Sequence, residues 1–296
     1  MRGSRRVVFL LLLAGCGRPP SDAGRPVAFP TLEPDRPFDP RPIGLADLRS
    51  IAGAASIALE IGPGPVVATR GCDPTHAGGS DTLHGGLTCY RCTLAIIDQQ
   101  PGAALHPLEV PLRTLADTLL QYPHSFLRVA QIEKIALCSQ LAGDPPPADD
   151  QRVAGLAEAA AHRLMVSLDK SERARPDATL HHEIFHLFDY AAPRDGDHER
   201  DPAWERLNPR TFRYGPKPSS ETEAGFINDY AKTALAEDKA SVFEYLMSYP
   251  DELCARALDD PLLMGKARLL LERIEAAVPQ NLGEFARRRA PCLARG

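Results

Sequence analysis

The residues whose types and spacing can do chemistry lie together at His181-His182-Glu183-Ile184-Phe185-His186. Three of them, His182, Glu183 and His186, spell H-E-x-x-H. On a helix, residues four apart share a face, so the two imidazoles can converge on one Zn²⁺. Glu183 then sits beside them, within reach of a water on that ion. The chemistry available to such a set is metal-assisted hydrolysis. Ile184, Phe185, Leu187 and Phe188 surround the motif with apolar side chains, as expected of a helix buried in a domain. H-E-x-x-H alone also arises by chance on core helices. His181 points about 100° away from His182 on a helix and reads as a neighbour rather than a ligand. His76, His84, His162 and His198 read as surface or loop residues.

A hydrolytic zinc site needs three protein ligands and one open position. The metzincin pattern would place a Gly and a His soon after His186. Asp189 and Ala192 stand there instead, which excludes that class. A later Glu must supply the third ligand, and Glu199, Glu205, Glu221, Glu223, Glu237 and Glu244 are all candidates.

The stretch Asn228-Asp229-Tyr230-Ala231-Lys232-Thr233-Ala234-Leu235-Ala236-Glu237-Asp238-Lys239-Ala240-Ser241-Val242-Phe243 resembles the segment Y-A-x-T-N-x-x-E-D-x-A-x-x-F of the zinc metallopeptidases related to the catalytic domain of anthrax toxin lethal factor. The order H-E-x-x-H-x-x-D, then Tyr, then Glu seven residues later, also matches that family. The resemblance spans about residues 125–250 and is carried by these two short blocks. It implies His182, His186 and Glu237 as zinc ligands, Glu183 as general base, and Tyr230 as a transition-state donor. It departs at Ala234, where Asn is common, and at Ser241, where lethal factor has an acid. The carboxylate that orients a histidine ligand must then come from elsewhere. Asp189 and Asp238 are the expected sources, with Glu244 a further candidate. The resemblance implies an α+β zincin-like fold, with an edge strand pairing an extended peptide substrate; Gly155 to Leu168 is the expected place.

The elements that must position these residues are legible in outline. Helical spacing or composition predicts helices over Leu45 to Ala55, Leu112 to Tyr122, Asp177 to Tyr190, Leu235 to Met247, Asp251 to Leu258 and Leu262 to Val278. Asp177, after Pro176, is the expected N-cap of the motif helix. Short strands are expected at Ser56 to Glu60, Val66 to Arg70, Thr93 to Asp98, Gln131 to Leu137, Val153 to Ala161 and Arg163 to Leu168, with helix the alternative for the Ala-rich 156–162. Residues 71–86, 144–150 and 192–222 read as loops. The basic tail 278–296 reads as weakly structured. Trp204, Phe212 and Tyr214 read as core, with a wall beside the cleft as the alternative. The organisation is then a mixed, sheet-bearing N-terminal lobe over 44–175, with the motif helix and a helical C-terminal lobe over 176–296.

Location follows from the first residues. Arg2, Arg5 and Arg6 precede an apolar run, Val7 to Ala14, which is too short to span a membrane as a mature helix. Leu13-Ala14-Gly15-Cys16 resembles a bacterial lipobox, with Cys16 lipidated after removal of residues 1–15. Eight prolines between Pro19 and Pro42 make 16–43 a tether. Without residues 1–15 the chain carries 31 basic and 39 acidic residues, a net charge of −8, which disfavours nucleic acid as the main partner. Cys72, Cys89, Cys92, Cys138, Cys254 and Cys292 are an even set that reads as disulfides in an exported chain, and Cys292 can pin the tail to Cys254. A structural zinc site using Cys72, Cys89, Cys92, His76 and His84 is the weaker alternative. The expectation is a zinc-dependent endopeptidase held to the cell envelope, with membrane contact through Cys16 and peptide as substrate. A zinc-stabilised surface module that binds without cleaving, and a cell-wall peptide hydrolase, stay open.

Overall fold

Six strands form one mixed sheet: β1 (Ala58–Glu60), β2 (Val67–Ala68), β3 (Cys89–Leu94), β4 (Lys134–Asp144), β5 (Gly155–Glu158) and β6 (Arg163–Ser167). The computed structural model describes residues 45–62, 67–68, 89–95, 106–144, 154–168, 176–191, 200–215, 223–278 and 282–294. The order across the sheet is β2-β3-β4-β6-β5, and β1 joins β4 on the edge it shares with β3. β4 runs parallel to β1 and β6 and antiparallel to β3. β5 turns back antiparallel to β6 and ends the sheet. Strand alternation sorts the side chains of β4 and β6. Ile135, Leu137, Leu164 and Val166 face the main core. Ala136, Cys138 and Met165 face a smaller cluster on the other side, with Cys92 and Leu141.

The helices are α1 (Leu45–Ala54), α2 (His106–Leu119), α3 (His124–Val129), α4 (Pro176–Ala191), α5 (Pro202–Glu205), α6 (Leu235–Ser248), α7 (Pro250–Asp259), α8 (Pro261–Ala277) and α9 (Leu282–Arg289). Several open on proline, which suits a first helical position because its missing N–H would have no partner there. Asp260 adds a cap to α8 by accepting from the Leu262 and Leu263 amides at 3.0 and 3.1 Å. α4 is buried around most of its circumference, through Leu180, His181, His182, Ile184, Phe185, Leu187 and Phe188. A helix that is apolar on so many sides belongs in the middle of a fold. It lies between the sheet and α6, locked by Phe126 on Phe188 at 4.6 Å and Phe185 on Phe243 at 4.9 Å between ring centroids. The arrangement is α+β, mixed early and helical late, as the sequence predicts.

The differences are local. α4 begins at Pro176, so Asp177 occupies its first turn rather than the cap. β3 lies earlier than the strand expected at Thr93 to Asp98, and β4 continues to Asp144 because β3 pairs with it that far. β5 is shorter than Val153 to Ala161 and gives way to a 3₁₀ turn over Ala159–Ala161. The helix α3 is unannounced by periodicity. The tail is not weakly structured: Leu282, Ala286 and Ala290 recur every fourth residue and bury one face of α9 and its end. The Cys254–Cys292 disulfide holds the residues beyond it, as expected. A second disulfide joins Cys92 to Cys138, so Cys89 and Cys92 do not pair with each other. Cys16, the tether, Cys72, His76 and His84 lie outside the described residues. No helix among the described residues is long and apolar enough to cross a membrane.

Candidate metal centre

Two elements bring the ligands together. α4 carries His182 and His186 one turn apart, with ring centroids separated by 4.7 Å. α6 packs across α4 and presents Glu237 from its first turn, where the partial positive charge of the helix N-terminus favours a carboxylate. Glu237 Oε2 lies 2.9 Å from His182 Nε2 and 3.2 Å from His186 Nε2. The three ligand atoms fall within 4.8 Å of one another, close enough to hold one metal ion. Among the described residues this is the one such group.

Glu244 completes the arrangement from behind. It stands seven residues after Glu237 on α6, two turns along the same face. Its Oε2 lies 3.1 Å from His182 Nδ1. His182 therefore meets a carboxylate at each nitrogen, which requires both nitrogens to donate. Burial alone would lower the His182 pKa, but hydrogen bonds to Glu237 and Glu244 and the charges of Glu183 and Glu237 outweigh it and raise it to about 10. Burial likewise pushes Glu237 up, and the two histidines reverse this and hold its carboxyl well below the usual range. The proton on Nε2 is the one a metal would replace, while Nδ1–H keeps its acceptor in Glu244.

Glu183 sits where the motif helix meets the sheet edge. Gly155 makes that contact possible: a Cβ there would lie 2.7 Å from Thr179 Cγ2 and 2.9 Å from Glu183 Cγ. The Ala157 amide donates to the Glu183 carboxylate. Burial raises the Glu183 pKa, and the nearby histidines only partly offset it. A carboxyl tuned upward in this way holds a proton more readily than a free one, which suits a group that takes and returns one.

Tyr230 opens a 3₁₀ turn, Tyr230–Lys232, just before α6. The turn is fixed by Asn228 Oδ1, which accepts from the Ala231 amide at 2.8 Å, and by Thr233 Oγ1, which donates to the Tyr230 carbonyl at 2.7 Å. The Tyr230 ring stays exposed and lies 5.8 Å from the His182 ring. Burial of its hydroxyl, then the charges of Glu237 and Glu183, raise its pKa, so it remains a neutral donor.

His182, Glu183, His186, Tyr230 and Glu237 thus meet at one place. Asp189 and Asp238 do not orient the histidine ligands. Asp189 pairs with buried Lys239 at 2.5 Å. Asp238 turns into the core, because one step along a helix from Glu237 rotates a side chain by about 100°. Its Oδ2 accepts from Lys266 Nζ at 2.7 Å, Trp204 Nε1 at 2.8 Å and Tyr214 OH at 2.7 Å. Trp204 and Tyr214 are therefore core residues rather than a cleft wall. His181 is also in the core, hydrogen-bonded through Nδ1 to the Tyr122 hydroxyl. The sequence places Gly155 and Ala157 in the expected edge strand but does not show that both touch Glu183. It placed Glu244 only among the candidates, although its spacing from Glu237 marks it as same-face.

Comparison of the chain with protein-family models, with curated proteins and with solved structures finds no match in any of the three.

Proposed function

We propose that the protein is a zinc-dependent endopeptidase of zincin-like fold that acts outside the cytoplasm, tethered to the membrane by a lipid on Cys16. The observation that carries the reading is the convergence of His182, His186 and Glu237, from two helices, with Glu183 and Tyr230 beside them. A purely structural metal site needs neither an upward-tuned carboxyl nor an exposed tyrosine at its rim. Two imidazole nitrogens and one carboxylate oxygen suit zinc, and three protein ligands leave a position for water. Zinc bound there supplies Lewis-acid chemistry, acidifying a coordinated water and polarising a peptide carbonyl.

The chain's own residues do the rest. Glu183 takes the proton from the attacking water and returns it to the leaving amine. Tyr230 donates to the carbonyl oxygen as negative charge builds on it. The edge strand β5 supplies the means to hold an extended peptide. Ser167 N–H bonds the Ala154 carbonyl, so antiparallel alternation turns the Gly155 backbone groups and the Ala157 carbonyl outward, while the Ala157 amide is taken by Glu183. The disulfides Cys92–Cys138 and Cys254–Cys292 agree with an oxidising compartment.

The test uses the chain lacking residues 1–15. Metal content is measured by elemental analysis, and a peptide library is assayed with wild type and Glu183→Gln. Zinc in both with cleavage only by wild type supports the reading. Stoichiometric zinc without cleavage in either sinks the peptidase and favours a binding module. Absence of zinc after equilibration with it sinks both.

A further inference from the structure

The β3/β4 pair continues where β5 and β6 stop. β6 pairs with β4 only as far as Cys138, opposite Ser167. Among the described residues, β4 runs on through Asp144 with β3 alone beside it. Six more residues at about 3.3 Å each give a ribbon about 20 Å long, with the short strand β2 on its outer edge at Arg91 and Cys92. Its direction is set by the register. Ser167 bonds the Ala154 carbonyl, so the ribbon leaves the sheet at the end where β5 begins and Gly155 touches Glu183. A register shift at Thr93/Leu94 bends it, as a β-bulge does. Ser139 Oγ donates to the Thr93 carbonyl at 3.0 Å, and the Cys92–Cys138 disulfide ties the two strands at the same level.

Tyr90 stands on this ribbon, opposite Gly143. It is half-buried, and with Leu94 and Leu156 it covers the small cluster on the second face of the sheet. Leu156 belongs to the edge strand, so the tyrosine and the strand expected to hold peptide share one patch. After burial, the charges acting most on the Tyr90 hydroxyl are those of Glu183 and Glu237, and Tyr230 in turn feels Tyr90. Tyr90 thus lies within electrostatic reach of the same carboxylates as Tyr230, on the sheet side of the site.

Resting on the peptidase reading above, we propose that the ribbon is the upper wall of the substrate cleft and that Tyr90 is a substrate-positioning residue, donating from its hydroxyl to the peptide main chain across from Tyr230. The class of substrate is an extended peptide pressed between β5 and the ribbon. The C-x-x-C that frames Tyr90 then has a mechanical role, since Cys92 anchors the strand that presents it.

The two tyrosines separate kinetically. The zinc-loaded chain lacking residues 1–15 is assayed on a peptide it cleaves. Binding of a hydroxamate made on that peptide is compared with binding of acetohydroxamic acid. Tyr90→Phe keeps the ring and its packing, and is expected to raise KM about tenfold with kcat within about twofold. It is expected to weaken the peptidyl hydroxamate about tenfold and leave acetohydroxamic acid unchanged. Tyr230→Phe is expected to lower kcat instead. If wild type cleaves, and both Tyr90→Phe and Tyr90→Ala keep its KM and its peptidyl hydroxamate affinity, the proposal is overturned while the peptidase stands. A loss confined to kcat overturns it too. If the zinc-loaded wild type cleaves no peptide of the library, the peptidase and this proposal fall together.

Discussion

At the scale of residues, the site depends on how one imidazole is held. His182 Nδ1 meets Glu244 at 3.1 Å while Nε2 faces the ligand cluster. Glu244→Gln keeps the shape and removes the charge that makes the imidazole a better metal ligand. The expected result is zinc affinity lower by about 10–100-fold, with an unchanged circular dichroism spectrum. Competition with a chromophoric chelator measures it, and unaltered affinity would remove Glu244 from this role. The residues differ in how far the sequence shows them. H-E-x-x-H is legible because ligand spacing on one helix is a local property. Glu237 and Tyr230 emerge from a second block whose distance in space no periodicity reveals. Asp189 and Asp238 mislead because adjacency to a ligand in sequence is not adjacency in space. Glu244 obeys the helical period and is legible once Glu237 is fixed as the ligand.

At the scale of elements, two packing contacts set the geometry. The first is α4 against β5. Gly155→Ala forces a Cβ into Thr179 Cγ2 and Glu183 Cγ, at 2.7 and 2.9 Å. Backbone or helix must shift, and Glu183 moves while His182 and His186 do not depend on that contact. The expected outcome is zinc content equal to wild type with kcat/KM down by about 10²-fold, since a misplacement near 1 Å costs about that much. Equal activity would show that the contact does not set Glu183. The second contact is α6 against α8. Lys266 and Asp238 are both fully buried, and Lys266 also lies 3.8 Å from the Phe226 ring centroid. Lys266→Met leaves Asp238 with no cation among its three donors. Loss of about 3–5 kcal/mol in denaturant unfolding is expected, as for one partner removed from a buried pair. Lys266→Met with Asp238→Asn should recover part of it. Such contacts are illegible in one chain: Gly155 and Lys266 each look unremarkable until the partner arrives from 28 residues away. Helices with a full apolar face were legible. α9 was missed because three arginines in its last turn hide a narrow apolar stripe.

At the scale of the whole molecule, the segment between α4 and α6 must be held against the helical half. Asp201 does this. Its carboxylate takes a bidentate pair from Arg273 of α8 at 2.5 and 2.7 Å, and its Oδ1 also caps α5 through the Trp204 amide at 3.1 Å. Burial opposes the charge, but Arg273, the Trp204 amide and Lys239 outweigh it and lower the Asp201 pKa below its ordinary value. A carboxyl whose native pKa is depressed takes up its proton later than the unfolded chain does. Its contribution is therefore complete above the ordinary carboxylate range and fades as the pH falls through the native value. Asp201→Asn should lose stability at pH 7 and lose less of what remains on acidification. The two unfolding curves, measured in urea at pH 7, 5 and 3.5 on metal-free protein, should converge as the pH drops. Curves that already coincide at pH 7 would mean that Asp201 acts through its cap to Trp204 alone, because that hydrogen bond survives in asparagine and the charge does not.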